Sequence, residues 1–256
     1  MDKTLATNAQ VFSDLDALSR AVVEDSVRVA NEAVNARGRC MISLSGGKTP
    51  EKAYELWSGE FRGKMPWAET HFFWGDERFV PADDPKSNYR MTRETLFQHI
   101  PVPPENIHPM ATNFPQADEA ARAYEKMLRT FFSDAGPSFD LLFLGVGGEG
   151  HTASLFPDSP ALKEQERWVV GVRAPVEPPV RISLTLPILR RARTTYILLA
   201  GPDKREIVAT LRNDWAASAR KLPVAMLNPE GEVIWFLDRA ADGGVSGKQW
   251  LGSRSA

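Results

Sequence analysis

The stretch FDLLFLGVGGEGHTASLFP spans residues 139–157. Its first part, Phe139–Gly147, is a short run of Leu and Phe that ends in glycine. A run of that length closed by glycine predicts a strand buried on both faces. The loop that follows carries His151, with Glu149 two residues before it and Thr152 directly after. A glycine-flanked histidine at a strand end is poorly explained by core packing. Imidazole titrates near neutral pH, which suits a general base, and Glu149 is placed to orient the ring. A loop histidine with a purely structural role is the competing reading.

The same alternation continues on both sides. Leu15, Leu18, Val22, Val29 and Ala33 recur at helical spacing from Asp14 to Arg37, and Gly38 is a plausible stop. CMISLS (Cys40–Ser45) predicts a buried strand, and Thr49-Pro50 starts a second helix. HFFWG (His71–Gly75) is another strand, followed by DER read as a charged turn. Helices are expected over Ser87–Gln98, Ala117–Phe132 and Pro202–Leu211. RWVVGV (Arg167–Val172), RISLTL (Arg181–Leu186), TTYILLA (Thr194–Ala200) and EVIWFL (Glu232–Leu237) are further strands. Such alternation implies an α/β fold with a mostly parallel sheet and helices on both faces. Ligands in these folds sit beyond the carboxyl ends of the strands. Residues 1–240 are read as one α/β domain. Residues 241–256 are read as a flexible tail, with Trp250 and Leu251 as candidates for docking on the body.

Composition narrows the function classes. The 256 residues carry a net charge of −2, which gives no support for a nucleic-acid or anionic-membrane surface. The single cysteine, Cys40, excludes an intrachain disulfide and a Cys-based metal site. The N-terminus has early acidic residues and no apolar h-region, and no stretch approaches the length of a membrane span. The cytoplasm is the default location and small molecules are the expected partners.

Three further segments sit where chemistry is expected. In SLSGGKTP (Ser43–Pro50), Gly46 and Gly47 let backbone N–H groups turn toward an anion at a helix start. Ser45, Thr49 and Lys48 add donors and charge. The spacing is not that of a nucleotide-triphosphate loop, and a simple tight turn is the alternative. In FFWGDERFVP (Phe72–Pro81), Asp76 can bond a hydroxyl and Arg78 can pair with a phosphate. A solvated turn with a local Asp–Arg pair explains that segment equally simply, and Ser87 and Asn88 read as helix caps. Arg181 and Lys204 lie at loop-to-element junctions within reach of a phosphate. His71, His99 and His108 lack the setting of His151, and no HExxH or HxxxH spacing suggests a metal. No GxSxG elbow is present. Gly145, Gly147 and Gly150 fit a dinucleotide motif loosely but lead into His151 rather than a clear long helix.

Taken in order, SGGKTP, WGDERFVP with SNYR, GVGGEGHTASLFP, RISLTLP and GPDK resemble the 6-phosphogluconolactonase family. The resemblance runs from Ser45 to about Lys204. It implies a Rossmann-like sheet with a small added region, related to ribose-5-phosphate isomerase and glucosamine-6-phosphate deaminase. It implies cofactor-free, metal-free hydrolysis of 6-phosphogluconolactone to 6-phosphogluconate in the oxidative pentose phosphate pathway. By motif match, His151 takes the place of the catalytic histidine. The Ser45–Thr49 loop, Arg78, Arg181 and Lys204 match positions that hold phosphate or sugar oxygens, and Asp76 matches an acidic position. Two departures stand out. Glu149 replaces the family's usual Asp, moving the charge by one methylene. Glu177 stands where many members carry Lys, with Arg173 as the available compensating charge.

Two rivals follow. A deaminase or isomerase of the same fold typically reads IAFNEP after the histidine, and TASLFP lacks its glutamate. A non-catalytic phosphosugar sensor needs a partner module, and the segment before the first strand reads as essentially one helix. A monomer is expected, with a homodimer as the alternative.

Overall fold

The computed structural model describes residues 8–133 and 136–244. In chain order the elements begin with β1 (Asn8–Phe12), α1 (Leu15–Arg37), β2 (Cys40–Leu44), α2 (Lys48–Ser58), β3 (Thr70–Trp74), β4 (Asp76–Arg78) and α3 (Asn88–Thr95). Then come α4 (Ala117–Phe131), β5 (Leu141–Gly145), β6 (Val169–Arg173), β7 (Val180–Leu184), α5 (Leu186–Leu189) and β8 (Thr194–Leu199). The remainder is α6 (Arg205–Asn213), α7 (Trp215–Ser218), α8 (Pro223–Met226), β9 (Glu232–Asp238) and α9 (Arg239–Asp242).

Local chemistry explains the boundaries. Asp14 caps α1 by accepting from the Ala17 N–H at 2.9 Å. Gly38 ends it in the left-handed region at φ 74°. One face of α1 buries Leu18, Val22, Val23, Ala30 and Ala33. In α2, Trp57 is fully buried and meets the rings of Tyr54, Trp67, Phe72 and Phe143. These aromatic contacts join the helix to two strands of the sheet.

Six strands form a parallel sheet in the order β1-β9-β8-β5-β2-β3. β2 and β8 are buried along their whole length, so both faces are covered. The chain runs from β2 outward to β3, then returns past β2 to β5 and continues the other way. The order therefore reverses between β2 and β5, and a crevice opens beyond the carboxyl ends of strands at such a point. The β2–β5 register is short, Ile42↔Leu141 and Ser43↔Leu142.

Three features correct the sequence reading. DER is not a turn: it forms β4, paired antiparallel with β7 as Asp76↔Ser183, Glu77↔Ile182 and Arg78↔Arg181. RWVVGV and RISLTL leave the parallel sheet and join β4 in a three-stranded antiparallel sheet, β4-β7-β6. This is the small added region. Finally, a strand precedes the first helix. β1 is a partly exposed edge strand, NAQVF, whose mixed composition gives no clear alternation. After Arg239 the chain makes α9, and Trp250 and Leu251 lie outside the described residues.

The flank of the sheet carries a pH-sensitive pair. His71 and His108 bring Nδ1 and Nε2 to 3.1 Å, and His108 stacks on Phe73. Burial, then the neighbouring His71, pushes the His108 imidazole down to about 4. Burial, then Arg39, also lowers His71. The folded state thus favours neutral rings. Their contribution is complete above the unfolded value near 6.5 and is lost as pH falls toward 4. The difference in urea midpoint between the wild type and His108→Gln is expected to shrink between pH 7.5 and pH 4.5. A difference that grows on acidification would contradict the sign.

Candidate functional site

Four neighbouring strands, β8, β5, β2 and β3, deliver the loops at one end of the sheet. A cleft of about 360 Å³ lies among them. Ser45, Gly46, Gly47, Lys48 and Thr49 form the wall after β2. Asp76 and Arg78 come from β4, directly after β3; His151 follows β5; and Lys204 follows β8. That volume suits a small organic ligand.

The β2 loop is anchored from behind. The Ser45 N–H donates to the Tyr54 hydroxyl at 3.0 Å, and that hydroxyl donates to the Ser45 carbonyl at 2.9 Å. Burial pushes the Tyr54 phenol up, so it stays protonated and can donate. No side chain caps the start of α2, which leaves its first N–H groups for a guest. Gly46 is required for steric reasons: a Cβ there would lie 2.0 Å from Asn88 Oδ1. Asn88 also lines the cleft and donates to the Asp76 carbonyl at 2.9 Å. Its role reaches past the helix cap assigned from sequence; the SNYR match was the signal available.

The β4 strand places alternating groups on opposite sides. Asp76 lines the cleft and accepts from the Ser154 hydroxyl at 2.6 Å. Glu77 points away and is buried. It accepts backbone N–H bonds from Arg78, Asn88 and Tyr89, each at 2.7 Å. Burial nonetheless pushes its carboxyl up to about 7. Glu77 thereby ties β4 to the start of α3, a structural link that sequence alone concealed inside a charged triplet. Arg78 Nη1 donates to the Lys86 carbonyl at 2.5 Å, while its buried Nε has no partner among the described residues. Lys204 Nζ sits 3.0 Å from Asp203 Oδ2.

The histidine turn is closed on itself. The Gly147 N–H donates to the His151 carbonyl and the Gly150 N–H to the Gly147 carbonyl, both at 2.9 Å. His151 Nδ1 lies 2.9 Å from Glu149 Oε1. Burial pushes the Glu149 carboxyl up, but its own N–H, His151 and Lys204 outweigh that and hold it below its ordinary value. An ionised carboxylate only accepts, so Nδ1 carries the proton and Nε2 keeps the lone pair. The extra methylene of Glu149 does not prevent this contact.

Two expected residues stand outside the lining. Glu149 acts on the cleft through His151. Arg181 is buried behind it, donating Nε to the Pro178 carbonyl at 3.0 Å and Nη1 to Ser154 Oγ at 3.4 Å. Burial lowers the Arg181 value, partly offset by Asp76. Glu177 and Arg173 are also absent from the lining, so the reversed charge at Glu177 does not face the cleft. Among the described residues, no three His, Cys, Asp or Glu side chains converge as metal ligands. No helix among them is long and apolar enough to cross a membrane.

Fold and cleft together define an α/β protein with a cationic, ligand-sized site at the strand-order reversal and an oriented histidine on its wall. Residues 13–235 match the family model described as "Glucosamine-6-phosphate isomerases/6-phosphogluconolactonase", and the chain belongs to that family. It is 40% identical over 227 residues to a 6-phosphogluconolactonase of Synechocystis sp., covering 88% of this chain and 92% of the relative. A 6-phosphogluconolactonase structure from Trypanosoma brucei superposes with TM-score 0.80 at 30% identity, covering 94% of this chain and 100% of that one. A monomeric glucosamine-6-phosphate deaminase shares the fold, with TM-score 0.75 at 19% identity over 92% of this chain and 99% of that one.

Proposed function

We propose that this chain hydrolyses 6-phospho-D-glucono-1,5-lactone to 6-phospho-D-gluconate in the oxidative pentose phosphate pathway. The family and the named relatives support the reaction class. The observation that carries the mechanism is the Glu149–His151 pair, set on a cleft whose other wall is the anion-favouring Ser45–Thr49 loop. The phosphate docks at that loop and the start of α2, with Lys48, Arg78 and Lys204 supplying positive charge. Anchoring holds the lactone carbonyl near His151. His151 Nε2 takes a proton from water, and the water oxygen bonds to the carbonyl carbon. The ring C–O bond then breaks, and the imidazolium returns the proton to the leaving ring oxygen. Glu149 holds the ring and stabilises its charged form during the step.

The tetrahedral oxyanion needs donors. The Gly147 and Gly150 N–H groups are already spent within the turn, which leaves the Gly148 N–H and Arg78 as candidates. Arg181 supports Asp76 through Ser154 and does not touch the phosphate in this reading. The working unit is a cytoplasmic monomer that takes a small-molecule phosphosugar lactone, with no nucleic-acid or membrane partner, no metal and no cofactor. The test is lactone hydrolysis measured against its spontaneous rate, beside ammonia release from glucosamine 6-phosphate. Enzyme-dependent lactone loss without ammonia is expected. Ammonia release, or a lactone rate equal to the spontaneous one, would overturn the reading.

A further inference from the structure

Phe156 is 3% exposed, yet it does not join the contiguous hydrophobic core, whereas its neighbour Leu155 does. Its aromatic contact is His151, at 4.3 Å between ring centres and 27° between planes. Arg181 Cζ lies 5.7 Å from the centre of the same Phe156 ring. Burial of the phenyl group is favourable in itself, but it falls outside the main core, against an imidazole and a guanidinium. It does constrain the imidazole.

The turn that makes this contact is itself held in place. Ala153 adopts φ 48°, a left-handed conformation uncommon for a residue with a Cβ. Thr152 Oγ1 donates to the Gly145 carbonyl at 2.9 Å, and the Ser154 N–H donates to Ser183 Oγ at 3.1 Å. These bonds tie the segment to the end of β5 and to β7. Phe156 therefore arrives beneath His151 from a rigid platform.

We infer that Phe156 is a positioning residue: its face fixes the plane of the His151 ring so that Nδ1 meets Glu149 and Nε2 stays free for the substrate water. The carboxylate alone fixes one atom of the imidazole and leaves rotation about that contact. A stacked ring removes it. A flat, aromatic support is thus required at this position, and aliphatic bulk of similar volume does not replace it. The inference rests on His151 acting as the base.

The test compares Phe156→Leu, Phe156→Tyr and Phe156→Trp with the wild type and with His151→Ala, using 6-phosphogluconolactone. Phe156→Leu should lower kcat by about 10- to 100-fold with KM changed less than threefold, because a small misplacement of a catalytic group is costly while the phosphate site is intact. At least one aromatic variant should recover most of the loss. Nitrogen-15 NMR of the histidine ring should show the Nδ1–H tautomer in the wild type and a mixed population in Phe156→Leu. Unchanged kcat in Phe156→Leu with an inactive His151→Ala would overturn the positioning role and leave the base intact. Normal turnover in His151→Ala would instead remove the base assignment. A kcat loss with an unchanged tautomer, or no recovery by either aromatic ring, would also overturn the inference.

Discussion

His151→Ala is expected to lower kcat for 6-phosphogluconolactone by about 10²–10⁴-fold, with a much smaller change in KM. In the proposed mechanism the loss falls on kcat because the imidazole would meet the proton in flight, whereas the Ser45–Thr49 loop, Lys48 and Lys204 on the cleft wall would hold the phosphate in ground and transition states alike. The residual rate comes from proximity and from whatever donors face the oxyanion. The lactone opens spontaneously, so initial rates must be corrected for the enzyme-free reaction. Turnover within a few-fold of wild type would mean that another group, such as Asp76 or Asp203 on the cleft, activates the water.

Gly147→Ala is expected to lower kcat by about 10²–10³-fold, a size set by displacement of the base from its near-attack position. A methyl group there would lie 2.0 Å from His151 Nδ1 and 2.5 Å from Glu149 Oε2, well inside contact distance. It would enter the space between the two partners and drive them apart. Gly147 is buried in the turn that lines the cleft and not in the hydrophobic core, so the thermal midpoint should move by only a few degrees. Gly148→Ala is the control: nothing lies within 4 Å of its added methyl, and activity should be kept. Equal activity of the two variants would show that the Glu149–His151 contact is dispensable.

Much of the parallel sheet was legible because buried central strands are written as unbroken apolar runs, as in CMISL and LLFLG. The antiparallel sheet was not legible. DER is short and charged, and nothing in three polar residues reveals that Glu77 is satisfied by three backbone donors. β1 was missed because an exposed edge strand need not be apolar. In the cleft, the residues that touch solvent were found from glycine loops and isolated charges. Their supports were not. Tyr54, Ser154 and Phe156 look like ordinary helix or loop residues until folding sets them behind Ser45, Asp76 and His151. Arg181 shows the converse: an isolated cation at a strand start suggested ligand contact, while the fold buries it one layer back.

The cross-strand pairing of Arg78 with Arg181 in the small sheet has a thermodynamic consequence. Two cations facing each other across adjacent strands repel, and Asp76 beside Arg181 counters that repulsion within the small sheet. On the lining itself Lys48, Arg78 and Lys204 outnumber Asp76 and Asp203, so the crevice keeps an excess of positive charge. An incoming dianion discharges it, so occupancy and conformational stability rise together. Inorganic phosphate at millimolar levels should accordingly raise the melting temperature more than an equal ionic strength of chloride, and Arg78→Gln should abolish most of that difference.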